Sequence, residues 1–332
     1  MQRFVNNPDH IVEDMLKGYE KAHNKQIHIS ENHDHVVVKN NLKEGKVGIV
    51  SGGGSGHEPC FLGYVGEHML DAAAVGEVFS SPPATAFLEA FKEADTGAGV
   101  ACLFGNYAGD NMNVKMAVQM AKMQGIEVKY VTANDDLASA DKDHKEKRHG
   151  IAGSLFMWKI GCAKAELGGT LDEVIEAAQE AVDQTRSICV GLSPCSIPAV
   201  GHPNFEIKEG TMEFGIGHHG EPGVRVEDIK DAHCIANELC TMVKEDLELR
   251  QGEEIAVIVS GLGGTPLMEQ YVVYNEVENY FKNENINIYK AFVGDYVTSL
   301  EMNGIALTVM RVKEHMKELL DLEVNTPEFK LL

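Results

Sequence analysis

The chain has 332 residues, of which 44% are hydrophobic, and its formal net charge is −22 with histidine neutral. That length is enough for two domains with large cores, and so acidic a surface repels nucleic-acid phosphates, which argues against direct DNA or RNA binding. No apolar run approaches the roughly 20 residues that span a bilayer, and the first ten residues lack a secretory signal, so we expect a cytoplasmic protein with no membrane segment.

Strand and helix patterns alternate along the chain. In chain order we predict a helix at 12–23, strands at 35–39, 46–50 and 99–104, a helix at 113–124, a strand at 128–132, a helix at 170–185, strands at 187–192 and 254–260, a helix at 265–282, and strands at 286–292 and 306–311. This alternation predicts an α/β protein with two domains, each a mainly parallel or mixed sheet flanked by helices. We place the domains at 1–185 and 186–332, with a charged loop or surface arm at 135–149.

Two glycine-rich segments follow strands. The first, "VSGGGSGHEP" at 50–59, ends the strand in a glycine loop, and His57 projects from it as a donor or base. It is neither a P-loop nor a full GxGxxG fingerprint. The second, "SGLGGTPLMEQ" at 260–270, is typical of a strand-to-helix turn. Neither is an intact nucleotide-binding motif, so we expect no nucleotide cofactor on this chain.

Asp110 lies in "FGNYAGDNMN", directly after a predicted strand. A carboxylate there suits a general base, but it also suits a cap for a helix that starts near Asn113. Both interpretations stay open.

The seven cysteines include no CxxC pair, which argues against a zinc ribbon. Cys60 is better interpreted as a small buried residue than as a reactive thiol.

The segment "EFGIGHHGEPG" places His218 and His219 between glycines. Neighbouring residues on extended backbone point to opposite faces, so only one imidazole can face a ligand and the pair alone makes a poor metal site. We expect no metal. The four histidines between 23 and 35 fit no standard ligand spacing either. A neutral imidazole can attack a ketone to give a hemiaminal, a reaction that selects ketones over glycerol.

Four motifs resemble the dihydroxyacetone-binding K subunit of bacterial dihydroxyacetone kinases. They are "KVGIVSGGGSGHEP", "GNYAGDNMN", "EFGIGHHGEPG" and "GGTPLMEQY…VGDYVTSLEM", and the resemblance runs from about residue 5 to 327. It implies two α/β domains, a homodimer, and dihydroxyacetone held covalently on a histidine. A separate ADP-carrying subunit then phosphorylates the ligand, and phosphoenolpyruvate recharges the nucleotide through the phosphotransferase system.

The resemblance also implies roles for single residues. His219 is expected to form the hemiaminal, His57 to hydrogen-bond the substrate oxygen and assist proton transfer, and Asp110 to accept the proton of the terminal hydroxyl. Backbone and side-chain atoms are expected to line the pocket at Gly54, Ser55 and Gly56.

The departures from the family pattern favour a second role. Gly105 stands where the kinase subunits carry a substrate-contacting lysine, His218 replaces an isoleucine, and the segments "SSPPAT" at 80–85 and "KRHGIAG" at 147–153 differ from the usual ones. They favour a non-catalytic sensor that binds dihydroxyacetone and then joins a TetR-type regulator of a kinase operon. The alternative is the substrate-binding subunit of the phosphoenolpyruvate-dependent kinase itself.

Overall fold

The computed structural model describes residues 3–203 and 205–332. Its contacts divide the chain into two compact units. Unit 1 comprises Met1–Ala133, Met157–Glu180 and His315–Leu332, and unit 2 comprises Asn134–Phe156 and Ala181–Glu314. The units therefore interleave along the chain, whereas the sequence suggested two continuous domains at 1–185 and 186–332.

The described residues form these strands and helices. The strands are β1 Ile27–Ile29, β2 Val36–Lys39, β3 Gly48–Ser55, β4 Ala72–Val78, β5 Val100–Gly105, β6 Val128–Ala133, β7 Thr185–Gly191, β8 Thr211–Phe214, β9 Arg225–Asp228, β10 Glu254–Gly261, β11 Asn287–Gly294, β12 Gly304–Val312, β13 Val324–Asn325 and β14 Lys330–Leu331. The helices are α1 Ile11–His23, α2 Ala84–Ala94, α3 Ala108–Met123, α4 Ser154–Glu166, α5 Leu171–Asp183, α6 Ala232–Leu247, α7 Leu267–Asn283 and α8 Glu314–Asp321.

Unit 1 is built on a six-stranded mixed sheet in the order β1-β2-β4-β3-β5-β6. The four strands from β4 to β6 in that order run parallel, and β1 and β2 are antiparallel to their neighbours. Helices α2 and α3 cover one face, where Phe87, Phe91, Phe104 and Val114 are fully buried. This arrangement places the carboxyl ends of β3, β4 and β5 at one edge of the sheet.

Unit 2 contains a second six-stranded sheet in the order β11-β10-β12-β7-β8-β9. Only the β10–β11 pair is parallel, so this sheet is mixed as well. Helices α6 and α7 pack on it through a core that includes Leu239, Val257, Val259 and Phe281. Two mixed sheets flanked by helices confirm the predicted α/β class.

A buried ionic cluster lies inside unit 1. The Asp71 carboxylate is fully buried and accepts from Lys39 Nζ at 2.6 Å, Lys46 Nζ at 2.5 Å and the Ile49 amide at 2.8 Å. Both lysines are also buried, at 6% exposure each. The carboxylate thus holds β2, β3 and the start of β4 together through charge-assisted hydrogen bonds.

None of the helices in residues 3–203 and 205–332 has the length and apolarity needed to span a membrane.

Candidate functional site

The first group of candidate residues lies at the carboxyl end of β3 in unit 1. The sequence suggested a glycine loop here, but Gly52, Gly53 and Gly54 belong to β3, which pairs with β4. A Cβ atom on Gly53 would lie 2.2 Å from the Phe61 ring, and one on Gly54 would lie 2.7 Å from the Ser80 amide. The glycines therefore serve close packing, and the turn itself begins at Gly56, whose φ is +97°.

His57 is held just beyond that turn. Its side chain is buried, with 6% exposure, and its ring stacks on Phe79 at a centroid distance of 5.0 Å. Gly56 donates its amide to the Glu58 carboxylate at 3.0 Å. Burial raises the pKa of Glu58, and the backbone hydrogen bonds oppose that rise. Burial and the stacking contact with Phe79 thus restrict the direction of the His57 ring.

Asp110 is connected to the same part of unit 1 through the segment after β4. Ser81 Oγ donates to Asp110 Oδ2 at 2.6 Å, and Asp110 is buried, with 6% exposure. The helix begins at Ala108, with Tyr107 as its N-cap, so Asp110 lies inside the first turn. It therefore cannot be the N-cap of a helix near Asn113, and that alternative was wrong. The first turn of a helix stabilises the ionised carboxylate.

No sequence pattern indicates a contact between Ser81 and Asp110. The structure shows that the segment following β4, with Phe79 on His57 and Ser81 on Asp110, joins the two candidate residues of unit 1. Gly105, where the resemblance would place a lysine, ends β5 and is half-buried.

The second group of candidates lies in a tight turn of unit 2. The Gly217 amide donates to the Glu221 carbonyl at 2.9 Å, and the Gly220 amide donates to the Gly217 carbonyl at 3.1 Å. Gly220 has a φ of +80°, and a Cβ atom there would lie 2.3 Å from the Phe205 ring. Positive φ and close packing both require glycine at this position. The sequence analysis treated this segment as extended backbone, but in the structure it is a turn.

Within that turn, His219 is paired with Glu221. His219 Nδ1 lies 2.8 Å from Glu221 Oε1, and the His219 amide donates to Glu221 Oε2 at 2.9 Å. Burial would raise the pKa of Glu221, but the hydrogen bonds from His219 and the backbone outweigh it and lower that pKa to about 2. An ionised carboxylate can only accept, so Nδ1 carries the proton and the lone pair of the neutral ring lies on Nε2.

His218 points away from that pair and is buried, with 3% exposure. Its Nε2 lies 3.7 Å from Cys189 Sγ, and its carbonyl accepts a hydrogen bond from Ser299 Oγ. Burial, with a smaller contribution from His219, lowers the pKa of His218 to about 4 against the opposing effect of Glu221. His218 is therefore neutral at pH 7, and the expectation that only one of the two imidazoles is presented outward agrees with these positions.

The segment at 135–149 supplies groups that the sequence did not single out. It has exposed residues in its middle, but Asp135 and Asp136 are buried, and the Asp136 amide donates to the His149 carbonyl at 3.0 Å. Burial, aided by Asp135 and Glu221, raises the pKa of Asp136 to about 7. Burial lowers the pKa of His149, with Glu221 opposing and His219 adding to that shift. The ends of this predicted surface arm therefore belong to the electrostatic surroundings of His219.

Two other kinds of site, a metal centre and a reactive cysteine, are less well supported by the described residues. No group of three or more His, Cys, Asp and Glu side chains in residues 3–203 and 205–332 is arranged to hold a metal ion. Of the N-terminal histidines, His28 contacts Asn40 and His35 contacts the Val75 carbonyl. Cys60 is buried, and burial raises the pKa of its thiol well above the ordinary value, which disfavours a reactive thiolate. The arrangement best suited to covalent chemistry is the oriented imidazole of His219.

Comparison with known proteins decides the family. The Dak1 domain matches residues 17–328. The chain belongs to the Dak1 family. The matched region contains His57, Asp110, His219 and Glu221.

Members of the Dak1 family with different roles resemble this chain. It is 42% identical over 327 residues to the dihydroxyacetone-binding subunit of PTS-dependent dihydroxyacetone kinase 1 from Listeria innocua, covering 98% of this chain and 99% of that one. It is 33% identical over 314 residues to a coactivator of the kinase operon from Lactococcus lactis, covering 94% and 95%. The dihydroxyacetone kinase structure from C. freundii has a TM-score of 0.91 at 32% identity and covers 99% of this Dak1 chain, which spans 60% of that kinase.

Proposed function

We propose that this Dak1 protein acts in the cytoplasm and binds dihydroxyacetone as a covalent hemiaminal on His219. The observation that carries the proposal is the 2.8 Å pair between His219 Nδ1 and the ionised Glu221 carboxylate. Nε2 attacks the ketone carbon, an N–C bond forms, and the C=O π pair moves onto the oxygen, which takes up a proton. The ring loses its Nδ1 proton in exchange through the Glu221 carboxylate, so the number of protons in the adduct is unchanged. No water is lost, so the adduct retains every atom of the ketone.

For unit 1 we propose the roles that the family resemblance implies. His57 donates to the ligand oxygen, and Asp110 accepts the proton of the terminal hydroxyl. Ser55 Oγ already donates to the Gly76 carbonyl at 2.7 Å, so we assign the contribution of Gly54, Ser55 and Gly56 to their backbone groups. The stacking of His57 and the hydrogen bond to Asp110 support these roles, because a catalytic group must be held in a fixed direction.

The function supported best is that of a ketone-binding subunit of a phosphoenolpyruvate-dependent kinase. The relative at 42% identity carries that role and is covered almost completely, whereas the coactivator is 33% identical. This ranking differs from the one that the sequence departures favoured. The chain has no intact nucleotide motif, so an ADP-carrying partner subunit would supply the phosphoryl group.

The second candidate is a sensor that joins a TetR-type regulator. Gly105 favours it, since a lysine that would contact the ligand is replaced by hydrogen at this position. The altered segments at 80–85 and 147–153 point the same way. A sensor needs only a ligand that binds more tightly to the conformation that joins the regulator. Binding of that ligand to the oriented His219 would be enough for this role.

One assay separates the two roles. The protein is mixed with an ADP-carrying kinase subunit, phosphotransferase components, phosphoenolpyruvate and dihydroxyacetone, and pyruvate release is followed. We expect turnover that depends on this chain and disappears in His219→Ala. Absence of turnover, together with intact ligand binding, would contradict the kinase role and favour the sensor. Gly105→Lys is the matched variant, because it restores turnover only if the missing lysine is the cause.

We also propose that a second copy covers an apolar surface of unit 2. This surface lies on edge strand β9 and the start of α7, and a cavity of about 200 Å³ is lined by Ile229, which follows β9, and by Val272 of α7. Its residues with more than half of their surface exposed are Val224, Val226, Ile229, Leu267, Met268, Tyr271 and Val272. So many exposed apolar side chains together mark a contact surface. Sedimentation should show a dimer that Val226→Glu dissociates, and a monomeric parent protein would contradict the proposal.

A further inference from the structure

The outward side of α3 differs in composition from the rest of this acidic chain. Three of its methionines are exposed: Met112 at 63%, Met116 at 53% and Met123 at 81%. The other exposed residues of the helix are Ala108, Lys115, Gln119 and Lys122. All seven follow helical spacing and form one stripe. The stripe holds two lysines and no carboxylate, in a chain with 51 acidic and 29 basic residues.

Helix α3 already packs one apolar side against the core of unit 1, and the stripe is a second apolar side of the same helix. Val114, Ala117 and Ala121 are fully buried in the core of unit 1. The only carboxylate of the helix, Asp110, is buried and accepts from Ser81. A surface helix ordinarily presents polar residues on its outward side, and contiguous exposed apolar residues indicate a binding surface. Methionine suits that task because its unbranched side chain adapts to a partner.

We propose that this stripe, which we call the methionine face, binds an amphipathic helix of a partner protein whose apolar side is flanked by acidic residues. Met112, Met116 and half-buried Met120 are spaced by four and form one ridge. Such a ridge packs into the groove of a second helix. From Met112 to Met123 the face extends about 16 Å along the helix axis, which matches about three turns of a partner.

Charge determines which partner fits the face. Lys115 and Lys122 are the charges on the stripe, and the next acidic residue along the chain after the helix, Glu127, forms an ion pair with Lys129 at 3.5 Å. An acidic helix is therefore attracted to this stripe and repelled by a chain whose net charge is −22, which favours binding at this position. A second copy would bring lysine toward lysine, and anionic lipid would meet a protein of net charge −22.

The face begins in the first turn of α3, which also carries Asp110. A partner on α3 would thus contact the element that carries a proposed site residue. The inference suits either the kinase or the sensor role and does not depend on the ligand proposed for His219.

The probe is a fluorescent synthetic peptide of about four helical turns, with leucines on one side and glutamates flanking them. A matched peptide carries lysines in place of the glutamates. We expect the full chain to bind the glutamate peptide at least about tenfold more tightly than the lysine peptide, measured by fluorescence anisotropy. The double variant Met112→Gln/Met116→Gln should lose at least about tenfold in affinity. Leu167→Gln, at an exposed apolar residue of unit 1 outside the face, should bind like the parent protein.

A second variant tests the charge separately. Lys115→Gln/Lys122→Gln should weaken binding of the glutamate peptide and flatten its dependence on salt. Equal or tighter binding of the lysine peptide, binding of neither peptide, or self-association that the methionine variant abolishes would overturn the proposal. Dihydroxyacetone binding is measured on the same samples: if it fails while the peptide still binds, only the ligand proposal is lost.

Discussion

The Nδ1 atom of His219 donates a hydrogen bond to Oε1 of Glu221 across 2.8 Å, and Glu221 is ionised. The carboxylate thereby fixes which ring nitrogen keeps the lone pair. Carboxylates commonly hold a functional histidine in one tautomer and one ring orientation in this way.

Glu221→Gln should lower the affinity for dihydroxyacetone. A neutral amide no longer enforces one tautomer, and a charge-assisted hydrogen bond is worth about 1.5–3 kcal/mol. Because the Glu221 side chain is 37% exposed, we expect the low end of that range, roughly tenfold in affinity. Titration calorimetry measures the loss, and Glu209→Gln, at an exposed carboxylate of the same unit, is the control. Unchanged affinity in Glu221→Gln would remove the positioning role.

His218→Ile should make the protein less sensitive to mild acid while the ligand still binds. The pKa of His218 falls from 6.5 to about 4 on folding, so its contribution to stability is complete above pH 6.5 and is lost as the pH falls toward 4. The full loss is about 3 kcal/mol. Asp136, with a folded pKa of about 7, stabilises the folded state as the pH falls over this range. This effect is the same in the parent protein and in His218→Ile, so it cancels in the comparison.

Urea unfolding at pH 7 and pH 4.5 measures the difference between the parent protein and His218→Ile. The parent should lose about 2 to 3 kcal/mol more than the variant between these pH values. Equal losses would show that His218 is not held neutral by burial.

Asp71→Asn should destabilise the fold strongly. The substitution leaves the ammonium groups of Lys39 and Lys46 buried without their anion, which costs about 3–5 kcal/mol in the free energy of unfolding. Lys142→Gln breaks the exposed pair with Glu248, which water and salt screen, and should destabilise the fold far less than Asp71→Asn. Similar effects of the two substitutions in urea unfolding would contradict the importance of the buried cluster.

Ser81→Ala removes the 2.6 Å hydrogen bond to the buried Asp110 carboxylate. We expect a loss of about 1–3 kcal/mol in unfolding free energy, since a buried charged acceptor loses its donor. Ser80→Ala, at an exposed neighbour, should change stability by less than about 0.5 kcal/mol. If Asp110 acts as the base, phosphoryl transfer should fall in Ser81→Ala and remain in Ser80→Ala.

Much of the fold was predictable because its strands are apolar and its surface helices periodic. The predicted strands at 254–260 and 306–311 lie within β10 and β12. Helix α4 was missed because it is buried around its circumference, as Phe156, Trp158 and Cys162 show, so it has no polar side to produce a period. Helix α6 does carry a period, with Ile235, Leu239 and Val243 buried, and could have been found.

The site was predictable only where its residues are close in the sequence. Glu221 follows His219 by two positions, so the carboxylate partner was visible in "HHGEPG". The sequence alone did not reveal that Asp136 and His149 influence the electrostatics of this turn, because tertiary folding brings them there. The glycines at 52–54 were misassigned to a loop because their packing partners, Phe61, Phe87 and Ser80, are distant in the chain or in the next element.

The most direct test is carbon-13 NMR of the protein with dihydroxyacetone labelled at its carbonyl carbon, together with native mass spectrometry. We expect the ketone signal to be replaced by that of a tetrahedral carbon, with a mass gain equal to the whole ketone and no loss of water. His219→Ala should abolish both signals and His218→Ile should keep them. A carbonyl signal that persists in the bound state, or an adduct that survives in His219→Ala, would contradict the covalent assignment.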